Sequence, residues 1–239
     1  MTYVLSDIHG DKDAFDSILS QIQLSEKDHL YIIGDVIDRG PDSIGLLQRI
    51  RKMPNTTLLL GNHEYMMIDR LRHPADENIQ ALWYWNDGGK TEDQYLALNK
   101  TEREELLQYL ESLSVQLELQ VNGLTYILVH ACPTELYAEC DETYNNATHF
   151  AVWFRIGATD VMPEGKTVIF GHTPTRHFQA VKGRMRIYHG DRRIGIDCGC
   201  AYPWRHGQLG CLRLDDMKEF YSSGGCGILL DHYEWEDPD

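Results

Sequence analysis

Five short runs of apolar or β-branched residues, each followed at once by a cluster of polar side chains, constrain this chain more than any other feature. The runs are Tyr3 to Leu5, Leu30 to Ile33, Thr57 to Leu60, Leu124 to Val129 and Thr167 to Phe170. Their length and composition fit buried strands. Directly behind them stand Ser6-Asp7-Ile8-His9-Gly10, Gly34-Asp35-Val36-Ile37-Asp38-Arg39-Gly40, Gly61-Asn62-His63-Glu64, His130-Ala131 and Gly171-His172-Thr173. In open α/β sheets the groups just beyond the carboxyl ends of strands share one crevice. Clusters far apart in the chain are therefore expected to meet in space.

Helical spacing separates the first runs: Ala14, Ile18, Leu19 and Ile22, then Ile44, Leu47 and Ile50 after Gly40-Pro41-Asp42. The first half is thus α/β. From about Arg184 the pattern becomes short, glycine-broken runs (Met185 to Tyr188, Ile194 to Ile196, Gln208 to Leu214, Glu219 to Ser222) that predict antiparallel strands. Both halves fit one α/β (α+β) domain over residues 1–239, with a two-layer sheet core flanked by helices. The polar, helix-prone stretch His73 to Leu119 interrupts the strand rhythm and predicts a helical cap, anchored by Trp83 and Trp85 near Gly88-Gly89. Residues 231–239 read as a loosely held acidic tail.

The net charge is −15, from 22 basic and 37 acidic side chains, which argues against a nucleic-acid backbone as the main partner. No apolar run is long enough to span a bilayer and no secretory pattern opens the chain, so a cytoplasmic location is expected. Six cysteines (Cys132, Cys140, Cys198, Cys200, Cys211, Cys226) show no paired-knuckle spacing and read as reduced thiols. Cys198, Cys200 and Cys211 lack an evident fourth ligand for a soft metal.

The strand-end residues carry the ligand types that a pair of divalent ions needs: a bridging carboxylate, terminal ligands and room for a hydroxide between the ions. Asp35 suits the bridge. Asp7 and His9, one residue apart, can face one ion, while Asn62, His130 and His172 can serve the other. Asn62 is neutral, so a surplus of positive charge remains to hold an anion such as phosphate. The mixture of carboxylate, imidazole and amide suits Mn²⁺, with Fe and Zn as alternatives. A hydroxide so activated can attack phosphorus. His63, assigned to no metal, is placed to protonate the leaving oxygen, with Asp38 orienting it. Arg39 and Arg155 are candidates to grip phosphate oxygens. Glu64 reads as structural. Taken singly, each cluster is an ordinary turn. The five specified positions of Gly34-Asp35-x-x-Asp38-Arg39-Gly40, however, recur at a random site roughly once in three million at about 5% per position.

This ordered set resembles the phosphoprotein phosphatase branch of the calcineurin-like metallophosphoesterases, whose pattern is GDxHG, GDxxDRG, GNHE, a strand-end His and GH. Ile196-Asp197-Cys198-Gly199 resembles a late segment of bacterial members. The resemblance implies a β-sandwich between helical layers, Asp7, His9 and Asp35 on one metal, Asp35, Asn62, His130 and His172 on the other, and His63 with Asp38 as the acid pair. Two departures, Ser6 for the first glycine and Ala131-Cys132 for a Gly-Gly pair, point to the small bacterial and phage-type members, which Trp153 and Arg155 also resemble. The expected reaction is hydrolysis of phosphomonoesters, on phosphoserine or phosphothreonine in proteins. Dinucleoside tetraphosphate hydrolysis is the alternative, with Trp83 and Trp85 offered to adenine. A silent phospho-ligand-binding module and a nuclease are further readings.

Overall fold

The computed structural model describes residues 1–140, 144–181, 184–202 and 207–223. The tail at 231–239 and Cys226 lie outside the described residues. Two five-stranded sheets pack face to face. In the first, strands β1 (Thr2–Leu5), β2 (His29–Ile32) and β3 (Thr56–Leu58) run parallel, and β9 (Gly210–Arg213) and β10 (Lys218–Tyr221) extend the β1 edge antiparallel. In the second, of order β4-β5-β6-β8-β7, β5 (Leu124–Val129), β6 (Lys166–Phe170) and β8 (Arg193–Gly195) are parallel, flanked antiparallel by β4 (Gln116–Val121) and β7 (Tyr188–Gly190).

Side chains alternate across each strand, and that alternation builds four layers. Val4 and Leu212 of the first sheet meet Leu128, Ile169 and Ile194 of the second in the middle. Tyr3, Leu5, Leu30 and Ile32 point the other way, onto α1 (Lys12–Ile22) and α2 (Ser43–Lys52). Ile127, Val129, Val168 and Phe170 face α7 (Ala147–Trp153). The predicted helices begin where their caps stand: Asp11 accepts from the Ala14 N–H and Asp42 from the Gly45 N–H.

Three expectations need correction. The cap is helical only as far as α6: after α3 (Asn62–Arg72), its helices α4 (Glu77–Trp85), α5 (Gly89–Leu96) and α6 (Lys100–Glu111) are followed by β4, so Gln116 to Leu119 belong to the second sheet. The alternation Leu117-x-Leu119-x-Val121 was the signal, since Leu117 and Leu119 pack on the interlayer core while Glu118 and Gln120 are exposed. The two tryptophans are also not a pair. Positions two apart on a helix face different sides, so Trp83 is fully buried while Trp85 is 93% exposed. Finally, the strand expected at Met185 to Tyr188 begins only at Tyr188, and β8 joins β6 in parallel. Among the described residues no helix is long and apolar enough to cross a membrane.

Candidate metal centre

The loops leaving β1, β2, β3, β5 and β6 converge on one side of the sheets, lining and backing a cleft of about 660 Å³. Asp7, Asp35, Arg39, Asn62, His63, Arg155 and His172 line it, and the buried His9, Asp38 and His130 stand behind them. The backbone is bent sharply to bring them there. Asp7, His9, Asp35, Asp38, Arg39 and His172 all adopt positive φ, between 50° and 70°. Each such residue costs on the order of 1 kcal/mol, and strain of this kind gathers where a site needs it. Close approach also demands glycine: a Cβ on Gly61 would collide with the Asp35 carboxylate, and one on Gly171 with that of Asp7.

The three candidate imidazole ligands share one arrangement. His9 Nδ1 donates to Ile37 O at 3.0 Å, His130 Nδ1 to Ile33 O at 2.8 Å, and His172 Nε2 to Trp153 O at 3.1 Å. Each backbone carbonyl accepts one ring N–H and aims the other ring nitrogen inward, as outer partners of metal-binding histidines do. Those inward nitrogens converge on acceptors. His130 Nε2 lies 3.4 Å from Asp35 Oδ2 and 2.9 Å from Asn62 Oδ1, and His9 Nε2 lies 3.7 Å from Asp35 Oδ2. Among the described residues two groups have the proximity a cation needs: His9, Asp35 and His63, and Asp35, His130 and His172. Asp35 is common to both. Asp7 falls in neither; its carboxylate accepts from the His172 N–H at 3.2 Å and from the Ser6 hydroxyl.

The electrostatics suit cations. Burial, then Asp197, pushes Asp7 well above the usual carboxylate range. Burial opposes ionisation of Asp35 as well, but His130 and His63 overcome it and hold that carboxyl well below its usual range. Burial leaves His9 and His172 well below the usual imidazole value, hence neutral. The neutral His172 turns its Nδ1 lone pair toward Asn62 Oδ1, two acceptors 3.0 Å apart. Facing acceptors, crowded buried carboxylates and neutral imidazoles are a donor set that fits two divalent cations. The cysteines do not compete, since Cys198, Cys200 and Cys211 are buried and burial pushes their thiols up, away from the ligating thiolate.

Beside the cluster sits a separate pair. His63 Nδ1 and Asp38 Oδ2 are 2.6 Å apart, both residues fully buried, and His63 Nε2 has no hydrogen-bond partner. Arg39 Nη1 donates to His9 Nε2 at 3.0 Å, and Arg155 reaches the rim through a bond to His172 O at 3.1 Å. Glu64 is structural, as expected. Its buried carboxylate accepts from the N–H groups of Asp35 and Val36 at 2.8 Å and of Gly61 at 3.1 Å, tying the β2 and β3 loops together. Glu64→Gln places an amide N–H₂ among these donors. It is expected to cost about 1–3 kcal/mol in urea unfolding and to weaken metal binding roughly 10–100-fold in a titration.

Asp197, Arg176 and His177 also line the cleft, and the sequence reading assigns them no role there. For Asp197 the signal exists, because it follows the apolar run Ile194 to Ile196 as the other clusters follow theirs. Arg176 and His177 lie in a short turn at Thr175–His177 that nothing in the sequence marks as facing the site.

Clustered buried carboxylates and imidazoles at strand ends, beside a buried His–Asp pair and a cleft edged by arginines, define the metal-dependent hydrolases of phosphoesters as a class. The family profile for calcineurin-like phosphoesterases matches residues 2–194. The chain is 30% identical over 182 residues to serine/threonine-protein phosphatase 1 of Salmonella typhimurium (strain LT2), spanning 73% of this chain and 79% of that protein. It is 26% identical over 208 residues to a symmetrical bis(5'-nucleosyl)-tetraphosphatase of Glaesserella parasuis, spanning 82% of this chain and 71% of that one. A solved structure described as a candidate diadenosine tetraphosphatase superposes with a TM-score of 0.62 at 17% identity, over 95% of this chain and 94% of the other, a likeness of fold. The chain belongs to the calcineurin-like phosphoesterase family, and its motif set places it in the phosphoprotein phosphatase branch. It is a hydrolase of phosphoesters in a family that depends on two metal ions.

Proposed function

We propose that the chain hydrolyses phosphomonoesters, with phosphoserine or phosphothreonine in proteins as substrate. The observation that carries this reading is the buried His63–Asp38 pair at 2.6 Å. An alkoxide is a poor leaving group, and a positioned general acid is worth about 10²–10⁴-fold in its departure. Cleavage of a phosphoanhydride releases a phosphate, a far better leaving group, and needs such an acid much less. The 30% identity with a serine/threonine phosphatase supports the same choice.

In this reading Asp7, His9 and Asp35 would hold one ion and Asp35, Asn62, His130 and His172 the other. Bound there, two divalent ions supply an activated water and polarise the phosphoryl group. Arg39 and Arg155 bind the nonbridging oxygens, with planar guanidinium forks matched to phosphate. His63, its Nδ1 held by Asp38, presents Nε2 to the leaving oxygen and donates the proton. The donor set favours Mn²⁺ over a thiophilic ion.

A second reading, hydrolysis of dinucleoside tetraphosphates, draws on Arg176 and His177, which carry the basic lining of the cleft beyond Arg39 and Arg155. Trp83 is fully buried and unable to stack on a base. Turnover of a phosphoserine peptide and of diadenosine tetraphosphate, measured side by side with Mn²⁺ and elemental analysis, decides between them. Dinucleotide turnover faster by orders of magnitude overturns the protein-phosphatase reading.

Metal uptake is expected to release protons. Burial lowers the affinity of His130 for a proton, but the Asp35 charge outweighs it and carries its pKa up to about 9. Below that value a metal must displace the His130 proton, and above it there is none to displace. Addition of Mn²⁺ to weakly buffered protein should therefore release more acid at pH 7 than at pH 10, as read by proton titration.

A further inference from the structure

The cap reaches into the acid pair. Asp38 Oδ2 accepts two hydrogen bonds, one from His63 Nδ1 at 2.6 Å and one from the indole Nε1–H of Trp83 at 2.8 Å. Trp83 lies on α4, and all three side chains are fully buried. A second cap helix touches the same residue from its backbone side. Thr91, on α5, bonds the Ser43 hydroxyl at 3.0 Å, and that hydroxyl accepts from the Asp38 N–H at 2.8 Å. Gly88, between the two helices, packs so closely that a Cβ there would collide with Trp83 Nε1. The indole is thus pinned on one side by the cap's own turn and on the other by Asp38.

We infer that Trp83 is a positioning residue for proton transfer: through Asp38 it holds His63 in the orientation that serves the leaving oxygen, making the cap part of the acid rather than only a cover over the core. This rests on the acid role proposed above for His63. The physical reason is geometric. A carboxylate with one partner can rotate about its Cβ–Cγ bond, while one gripped on the same oxygen by two rigid ring donors cannot. Asp38 Oδ1 has no hydrogen bond, so the orientation of the carboxylate depends on the bonds to Oδ2. Charge-assisted bonds of this kind are the stronger class.

The test uses Trp83→Phe, which keeps an aromatic ring and removes the N–H, together with benzothienylalanine at position 83, which keeps the bicyclic shape without the N–H. Turnover is normalised to metal content by elemental analysis and measured on a phosphoserine peptide and on p-nitrophenyl phosphate. We expect about a tenfold loss on the peptide and less than about a twofold loss on the activated ester, for which acid assistance matters little. In a His63→Asn background the same replacement should cost nothing further, because residues acting as one unit are not additive. Equal losses on both esters, or an undiminished effect in the His63→Asn background, overturn the inference. If Trp83→Phe fails to fold, the benzothienyl variant carries the same comparison. A His63→Asn protein with no leaving-group dependence overturns the acid role itself, and the inference with it, whereas dependence on His63 but not on the indole N–H overturns only the inference.

Discussion

Asp35→Asn is expected to lose metal and activity together, with turnover down roughly 10³-fold or more and both ions missing by elemental analysis. Asp35 is the one residue common to both candidate metal groups. Its Oδ2 lies within 3.4–3.8 Å of the inward nitrogens of His9, His63 and His130, so removing its charge weakens both sites at once. The loop should survive the substitution. Its backbone is held by Glu64 through the N–H groups of residues 35 and 36, and the carbonyl oxygen of the introduced amide can still accept the His63 N–H that Asp35 Oδ1 accepts at 3.1 Å. A melting transition close to that of the metal-free parent, with no bound metal, is the expected pattern. Full activity in purified Asp35→Asn protein would sink the bridged-metal reading.

His63→Asn should behave oppositely: metal retained, and turnover on esters with poor leaving groups down about 10²–10⁴-fold. The competing outcome is built into the geometry, because His63 belongs by proximity to the group with His9 and Asp35. Its hydrogen bonding sets it apart. The three proposed ligand histidines give their outer N–H to neutral backbone carbonyls, whereas His63 faces the Asp38 carboxylate. Loss of a metal ion in His63→Asn would make the residue a ligand and remove it from proton transfer. Some loss of stability, about 1–3 kcal/mol, is expected in either case, because Asp38 stays buried with one partner fewer.

Much of this site was legible before the structure. Asp7, His9, Asp35, Asn62, His63, His130 and His172 stand directly behind apolar runs, and a parallel strand must end where its polar loop begins. Asp197 obeyed the same rule. Trp83 and β4 were harder to read. Whether a tryptophan in a polar helix is core, platform or hydrogen-bond donor depends on which way that helix turns against α3 and the loop that carries Asp38, a long-range matter. The alternation in β4 was masked by acidic and amide side chains on its solvent face, where a strand at the edge of a sheet tolerates them.

The sequence by itself determined the chemistry available: which side chains stand at strand ends, in what order, and hence a phosphoester-hydrolysing metal site in this family. Local runs and fixed spacings suffice for that, because they act over a few residues. Only the tertiary structure decided which atoms meet. It gave Asp35 to both candidate metal groups, turned three imidazoles by backbone carbonyls, and hung Asp38 between His63 and a tryptophan 45 positions away. Those choices depend on how layers pack across the whole chain, where small rotations of a helix move a donor by ångströms.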